Sequence, residues 1–485
     1  MISLAVENVR SIATMPLVPL RPLTIVVGKN SVGKSSFVRW LPLMAQSLDA
    51  PGSTPILWSR RDRKLVDYGS FRETLCRRAA VEELGFRLQD CLSDGTVYEV
   101  RFLYRVHERA TYLSRCVAQV GDVRLDLRLS VDGKPSQILI NEISVTELGG
   151  ADWTWEGSPS SLVPRVSAVS ADRRSVSPGA KRRVEHLTGV KKGKMDVWRR
   201  EKIAEEAHGW TTAALRQSLM QHWAGTETWK AHLHTIPATD RRLKEMLPFF
   251  ALRHLRSLLD TVDERLREDL TDLVYVAPFR AEPLRSERSP EPSSTLDSRG
   301  EALVSFMEGL SEEHRQSLSD WLRDSLGFSL KLRKEGPYSE IRIQQDDPDD
   351  DNITDVGFGI GQVLPVAVHL WNLQRSMFSR LHRPVIIEQP ELHLHPAKQG
   401  AVGRMLSRLA AQSERHGSVL LVETHSEALI SAIGEQIEAG ALKQELVQLV
   451  VFERTSPVEP VQVRLVEFDE KGYLQRPWPL GFFAS

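Results

Sequence analysis

Cysteine is scarce: Cys76, Cys91 and Cys116 are the only three among 485 residues. Three thiols without ligand-type spacing build neither a disulfide framework nor a cysteine-based metal site. With no apolar leader at its start, the chain is expected in a reducing compartment, the cytoplasm. No stretch approaches the roughly eighteen uninterrupted apolar residues of a spanning helix, so no membrane partner is expected. Glycine and proline are modest in number, 30 and 26, which excludes collagen-like repeats and global low complexity. Neither charge sign is in excess, with 63 Lys and Arg against 64 Asp and Glu. No whole-molecule field therefore advertises nucleic acid or an anionic membrane, and any such surface must be local. Heptads are not sustained and no internal repeat recurs, which argues against a coiled-coil arm or a solenoid.

What is present is enough apolar residue, 41%, for a large core, in a chain long enough for two or more lobes. The expected division is 1–148, 149–272 and 273–485. The first part carries alternating segments such as "VYEVRFLYRV" and "DVRLDLRLSV", broken by "SDG", "VGD" and "VDGKP", the pattern of antiparallel hairpins. The middle part turns helical in period and holds six of the eleven tryptophans, so it reads as an inserted, mainly helical lobe. At its far end Leu255, Leu258, Leu259, Val262 and Leu266 share one helical face. Residues 280–297, rich in Ser, Pro, Glu and Arg, read as a mobile loop, and "EALVSFMEGLSEEHRQSLSDWLRDSL" as one helix. The last part alternates "PVIIE", a helix from Pro396, "VLLVE", a helix from Ser426 and "LVQLVVFER", which implies a parallel α/β sheet.

The segment "LTIVVGKNSVGKSSF" places Gly28, Gly33, Lys34 and Ser35 in the spacing GxxxxGK[ST], after an apolar strand and before a helix. Glycines let backbone N–H groups turn toward phosphate oxygens, a lysine reaches the outer phosphates, and a serine hydroxyl ligates magnesium. By residue frequency the pattern arises by chance in roughly one or two of a hundred chains of this length, before the flanking strand is required. Gly28, Asn30, Gly33, Lys34, Ser35 and Ser36 are therefore the candidate nucleotide-binding residues, with ATP and Mg²⁺ as the implied cofactors.

A nucleotide site also needs an acid at the carboxyl end of a neighbouring strand, holding magnesium through water. In "RPVIIEQPELHLHP" Glu388 fills that position, so Ser35 and Glu388 are the expected metal ligands. The next position, which would carry a general base, holds Gln389. An amide orients water but cannot take its proton, so hydrolysis should be slow unless Glu391 substitutes. His393 and His395 alternate as metal ligands can, yet no third ligand stands at useful spacing, and Pro396 more simply opens a helix. His425, just after "VLLVE", sits where a residue can sense a terminal phosphate.

Taken in order, "GKNSVGKSS", "DVGFGIGQVLPV", "VIIEQPELHLHP" and "VETHS" resemble the SMC/ABC-type ATPase heads of bacterial anti-phage defence operons. The likeness covers about residues 1–75 and 270–485, and the closing "WPLGFF" resembles the end of one subgroup. In layout the nearest members are the ATPase subunits of PARIS systems and, next, of Septu and related retron systems. The resemblance implies an ABC-type P-loop head in which "GFGIGQ" is a signature loop capping nucleotide held by a second copy. Gly359, Gly361 and Gln362 carry that role over, although members usually have serine where Gly361 stands. By turn chemistry alone the segment is a glycine-rich turn before the helix "QVLPVAVHLW". The glutamine that couples magnesium to the second lobe in such heads is not found: Gln46 lies about 18 Å of helical rise beyond Lys34.

Two charged stretches remain. Residues 173–202 carry eleven Lys or Arg against three acids, with Trp198 interleaved, which suits a nucleic-acid face, a docking surface or a solvated helix. Residues 346–351 form an acidic run that suits a solvated loop or a basic partner. The combined expectation is an ATP-binding, slowly hydrolysing switch that dimerises head to tail around nucleotide. The defence resemblance implies that it senses a phage-derived trigger and controls a separate nuclease or toxin. The sixty residues after His425 are too few for a fused nuclease domain. The alternative is a DNA-binding head of a repair or chromosome-maintenance complex; a metabolic kinase would leave Gln389 and the signature segment without a role.

Overall fold

The computed structural model describes residues 2–48, 54–59, 65–145, 148, 162–164, 208–221, 233–288, 291–345, 348–375, 384–413, 417–456 and 459–475. The basic stretch 173–202, much of the expected inserted lobe and the closing "WPLGFF" lie outside these residues. The chain forms two compact units, each drawn from three stretches of sequence. Met1–Val9, Gln46–Trp58 and Tyr68–Arg267 make the first; Arg10–Ala45, Ser59–Asp67 and Glu268–Ser485 make the second.

The first unit is built on an antiparallel sheet in which Ser3–Glu7, Leu84–Cys91, Val97–His107, Ala110–Val120, Val123–Leu129, Pro135–Ile140 and Ile143–Ser144 follow one another as neighbours. Alternation decides the faces. Phe86, Tyr98, Val100, Phe102 and Tyr104 point inward and are buried, with the rings of Phe86 and Phe102 5.0 Å apart. On the other face Glu7 pairs with both Arg87 and Arg101. The sheet thus reads hydrophobic within and charged without, as the sequence alternation predicts. Two helices of the middle region are described, Thr212–Gln221 and Arg241–Thr271. The second carries and buries the expected Leu255, Leu258, Leu259, Val262 and Leu266.

In the second unit six strands form one sheet in the order Val274–Val276, Pro384–Glu388, Val419–Glu423, Leu23–Gly28, Val447–Glu453 and Gln462–Val466. The first five are parallel and the last is antiparallel to its neighbour. Leu23–Gly28 is buried along its whole length, as a central parallel strand covered on both faces must be. Alternate residues Leu23, Ile25 and Val27 join Val385, Ile387, Leu420, Val422, Leu449 and Val451 in one core with helices Phe358–Arg375, Pro396–Ala411 and Glu427–Glu438. Each such side chain contributes roughly 1.5–3 kcal/mol by leaving water. Helix starts follow their capping residues. His395 Nδ1 accepts from the N–H of Ala397 with Pro396 in the first turn, and Ser426 Oγ accepts from Leu429.

A phosphate-loop strand one position removed from the acidic strand Pro384–Glu388, in a parallel sheet sandwiched by helices, together with an antiparallel sheet formed largely by the N-terminal third, is the α/β, ABC-type P-loop architecture. No described helix is long and apolar enough to cross a membrane.

Three local expectations are corrected. The helix predicted across 301–326 is two, Leu303–Gly309 and Glu312–Leu326, because Ser311 caps a new start by accepting from His314 N–H. The segment "GFGIGQ" is not a loop before a helix: helix Phe358–Arg375 already contains Gly359, Gly361 and Gln362. Arg280 is not part of a solvated loop, being 7% exposed with its guanidinium turned onto backbone carbonyls.

Candidate nucleotide site

The carboxyl ends of the strands Leu23–Gly28, Val419–Glu423 and Pro384–Glu388 lie side by side, so whatever residues end them meet. Register places Glu423 opposite Val26 on one side and opposite Glu388 on the other. Beyond Gly28 the chain turns through three positive φ values, at Gly28 (148°), Ser31 (63°) and Gly33 (106°), and enters helix Lys34–Val38. Gly33 is needed for space as well as for φ, since a Cβ there would lie 2.5 Å from Ser11 Oγ. Lys34 is only 4% exposed, and its ammonium donates to the carbonyl of Lys29 at 2.7 Å, across the loop. Burial lowers its pKa against the pull of the Glu423 and Glu391 carboxylates. Asn30 is exposed, Ser35 half-buried and Ser36 buried.

Ser35 Oγ donates to Glu423 Oε1 at 3.0 Å, and Lys34 Nζ lies 4.0 Å from the same oxygen. Glu423 is 2% exposed and its other oxygen, Oε2, is buried without a hydrogen-bond partner. Burial, reinforced by the neighbouring Glu388 carboxylate, pushes its pKa up to about 7. Glu388 is differently placed. Its Oε1 accepts from Arg39 Nε at 2.7 Å and from the Tyr275 hydroxyl at 2.6 Å, and its Oε2 accepts from Arg39 Nη2 at 2.8 Å. Arg39 stands one helical turn beyond Ser35, which is why the two residues reach the same pair of strand ends.

Gln389 turns away from the strand end in the left-handed region, with φ 45°. Both sides of this peptide are held: its N–H donates to the carbonyl of Glu423 at 2.7 Å, and its carbonyl accepts from Arg280 Nη2 at 3.2 Å. Arg280 also donates to the carbonyl of Glu388 at 2.9 Å, while its Nε and Nη1 are buried without partners. Burial lowers the Arg280 pKa to about 10 against the opposing pull of Glu391 and Glu388, which keeps the group charged. Glu391, 8% exposed, accepts the backbone N–H of His425 at 2.6 Å through Oε1, and its Oε2 is buried without a partner. Burial raises its pKa. Burial, with the charge of Lys34 in support, holds the His425 imidazole down at about 4, so it is neutral at physiological pH.

The strand ends therefore gather Lys34, Ser35, Glu388, Gln389, Glu391 and His425 around the phosphate loop with its Gly28 and Gly33. The signature segment meets other neighbours. A Cβ on Gly359 would lie 2.5 Å from the His393 carbonyl, one on Gly361 would lie 2.8 Å from Pro283, and Gln362 is buried. Gln46 donates to the carbonyl of Leu57 at 2.6 Å.

Sequence reasoning missed Glu423, Arg39, Tyr275 and Arg280. A signal existed for the first: "VLLVE" repeats the four-apolar-plus-glutamate pattern of "PVIIE". The others reach the site from outside the motifs, and only the fold brings them there.

The residues fit a magnesium nucleotide. A loop of positive φ values, a buried lysine, a hydroxyl at the helix start and an orphaned carboxylate oxygen are donors and acceptors in the places phosphates and a hard cation require. Among the described residues no group of three or more His, Cys, Asp and Glu side chains could hold a metal by itself. A cation here would need phosphate oxygens to complete its shell.

No family model and no curated protein matches the sequence. Solved structures that resemble the chain include an Smc head domain from Pyrococcus furiosus, with an extended coiled coil and bound to the C-terminal domain of ScpA. It is 12% identical, covering 96% of this chain and 97% of that one, with a TM-score of 0.34. The Smc head domain with a coiled coil and joint from Pyrococcus yayanosii is 13% identical, covering 97% and 98%, with a TM-score of 0.34. The SMC head domain from Thermotoga maritima is 9% identical, covering 96% and 98%, with a TM-score of 0.33.

Proposed function

We propose that this protein is an ATP-binding, slowly hydrolysing ABC-type ATPase that works as a switch. The observation that carries the reading is the convergence of Lys34 and Ser35 on the Glu423 oxygen, beside Glu388, at the carboxyl end of a parallel sheet. Lys34 is the binding residue for the outer phosphates, released from the Lys29 carbonyl as they arrive. Bound magnesium would supply charge neutralisation of the phosphates, with Ser35 and a strand-end carboxylate to hold it. Gln389, whose backbone is held on both sides, offers an amide that orients the attacking water and accepts no proton. Glu391, buried at the same strand ends, is a carboxylate able to do so. The neutral His425 imidazole offers a hydrogen bond to the terminal phosphate without adding charge. In this reading two copies close around nucleotide through the segment Gly359, Gly361 and Gln362. ATP favours the closed pair by differential binding.

The family likeness of the four motifs supports a finer reading. The switch senses a phage-derived trigger in bacterial anti-phage defence and controls a separate nuclease or toxin, in the cytoplasm.

Replacing Lys34 with alanine removes a charge-assisted contact to phosphate, worth about 1.5–3 kcal/mol, so nucleotide affinity should fall at least roughly tenfold. Titration with a fluorescent ATP analogue reads this, and undiminished affinity would refute the phosphate-loop assignment. Gln389→Glu places a base where the amide stands. Steady-state turnover should rise about a hundredfold, the lower part of what a positioned base contributes. An unchanged rate would move the base to Glu391.

A further inference from the structure

Two carboxylates end adjacent strands beside Ser35, and they are not equivalent. Glu388, the one that strand-end logic selects for magnesium, has both oxygens engaged, Oε1 by Arg39 and Tyr275 and Oε2 by Arg39. Glu423 has one oxygen already on the Ser35 hydroxyl and one buried with nothing to accept from. A buried, unpartnered carboxylate oxygen is costly unless a cation or a donor meets it there.

The distance fits a cation. Magnesium demands near-octahedral geometry with bonds of about 2.1 Å, so two oxygens at adjacent corners of its shell lie about 2.9 Å apart. Ser35 Oγ and Glu423 Oε1 are 3.0 Å apart. A divalent ion could replace the hydrogen bond between them with little movement of either side chain. Glu388 would first have to give up a bidentate guanidinium.

We infer that Glu423, not Glu388, is the protein carboxylate that meets the divalent cation delivered with nucleotide at Ser35, and that Glu388 is a positioning residue held in the Arg39–Tyr275 clamp. Glu388 then fixes the helix carrying Ser35 through Arg39 and fixes the first strand through Tyr275. Its negative charge beside Glu423 adds to the attraction for a cation without a bond to it. The inference rests on the nucleotide reading above.

The test is nucleotide affinity with Mg²⁺ against affinity in EDTA, for the wild-type chain, Glu423→Gln, Glu388→Gln and Lys34→Ala, supplemented by Mn²⁺ binding in the presence of ADP followed by electron paramagnetic resonance. Glu423→Gln should keep its affinity in EDTA and lose at least about tenfold of the gain that Mg²⁺ confers, with a matching loss of bound Mn²⁺ signal. Glu388→Gln should keep the larger share of that gain. If Glu423→Gln gives a misfolded protein, Glu423→Asp makes the same test, since withdrawing the carboxylate by one methylene should also reduce the gain. A wild-type Mg²⁺ gain in the Glu423 variants, or its loss in Glu388→Gln alone, overturns the inference while leaving the nucleotide site standing. Only unchanged affinity in Lys34→Ala removes the site itself.

Discussion

Replacing Gly28 with alanine is expected to cost the second unit most of its stability and all of its nucleotide binding. A Cβ at this position would lie 2.3 Å from the carbonyl oxygen of Phe452, and φ is +148°. Phe452 is the register partner of Gly28 on the adjacent parallel strand, so the clash is with backbone and no side chain can swing aside to relieve it. Either the strand pairing opens at its end or the phosphate loop changes course. Substitutions that strain a special backbone site by this much fall in the class costing roughly 4 kcal/mol or more. For a unit of this size that is a fall in melting temperature of at least about 8 °C. Gly327 provides the comparison. It too has a positive φ, +77°, at the end of helix Glu312–Leu326, but a Cβ there meets nothing within 4 Å. Gly327→Ala should cost only about 1 kcal/mol, the ordinary left-handed penalty. If calorimetry finds the two substitutions equally mild, close strand packing is not what Gly28 secures.

Removing Glu388 should have the next largest effect. In Glu388→Ala the Arg39 guanidinium loses its two contacts to the Glu388 carboxylate and the Tyr275 hydroxyl loses its bond to Glu388, in surroundings where the Glu388 side chain is 2% exposed. Breaking one side of a buried pair costs about 3–5 kcal/mol, and because Arg39 retains 27% exposure the lower end applies. Much of that cost is the loss of the Glu388 contacts on the Arg39 side of the pair. The double variant Arg39→Met with Glu388→Leu should therefore recover most of the stability that Glu388→Ala loses. Denaturant unfolding of the wild type, the single and the double variant decides the matter. A double variant no more stable than the single one would show that Glu388 acts through something other than the pair.

Much of this site could be read from the sequence because its chemistry is local. Gly28 through Ser36 are contiguous, and strand-to-loop-to-helix order is a property of neighbours. The two glutamate-ended strands follow from short apolar runs, and the helix after Ser426 from a capping side chain. Strand-end position assigns Glu388 as the acid, yet "VLLVE" ends in glutamate in the same way, so that position alone does not rank the two. Choosing between Glu388 and Glu423 needs knowledge of what surrounds each carboxylate, and that depends on Arg39 and Tyr275. Tyr275 stands 113 positions from Glu388, and no periodicity connects them. Arg280 was misjudged for a related reason: its neighbours in sequence are polar and breaker-rich, but its neighbours in space are carbonyls that need a donor. Glycine misled in "GFGIGQ", where Gly359 and Gly361 permit close approach to His393 and Pro283 inside a helix instead of making a turn.

The central strand of the parallel sheet is among the first elements of the chain, while the strands on either side of it, Val419–Glu423 and Val447–Glu453, are among the last. During synthesis Leu23–Gly28 must wait for almost 400 further residues, roughly 20 to 80 s at ordinary translation rates, before either neighbour exists. Throughout that wait a mostly apolar strand has no pairing partner and depends on chaperones. A message cut short anywhere upstream of the final strands would therefore release a product with its phosphate loop present but unanchored, open to aggregation and proteolysis.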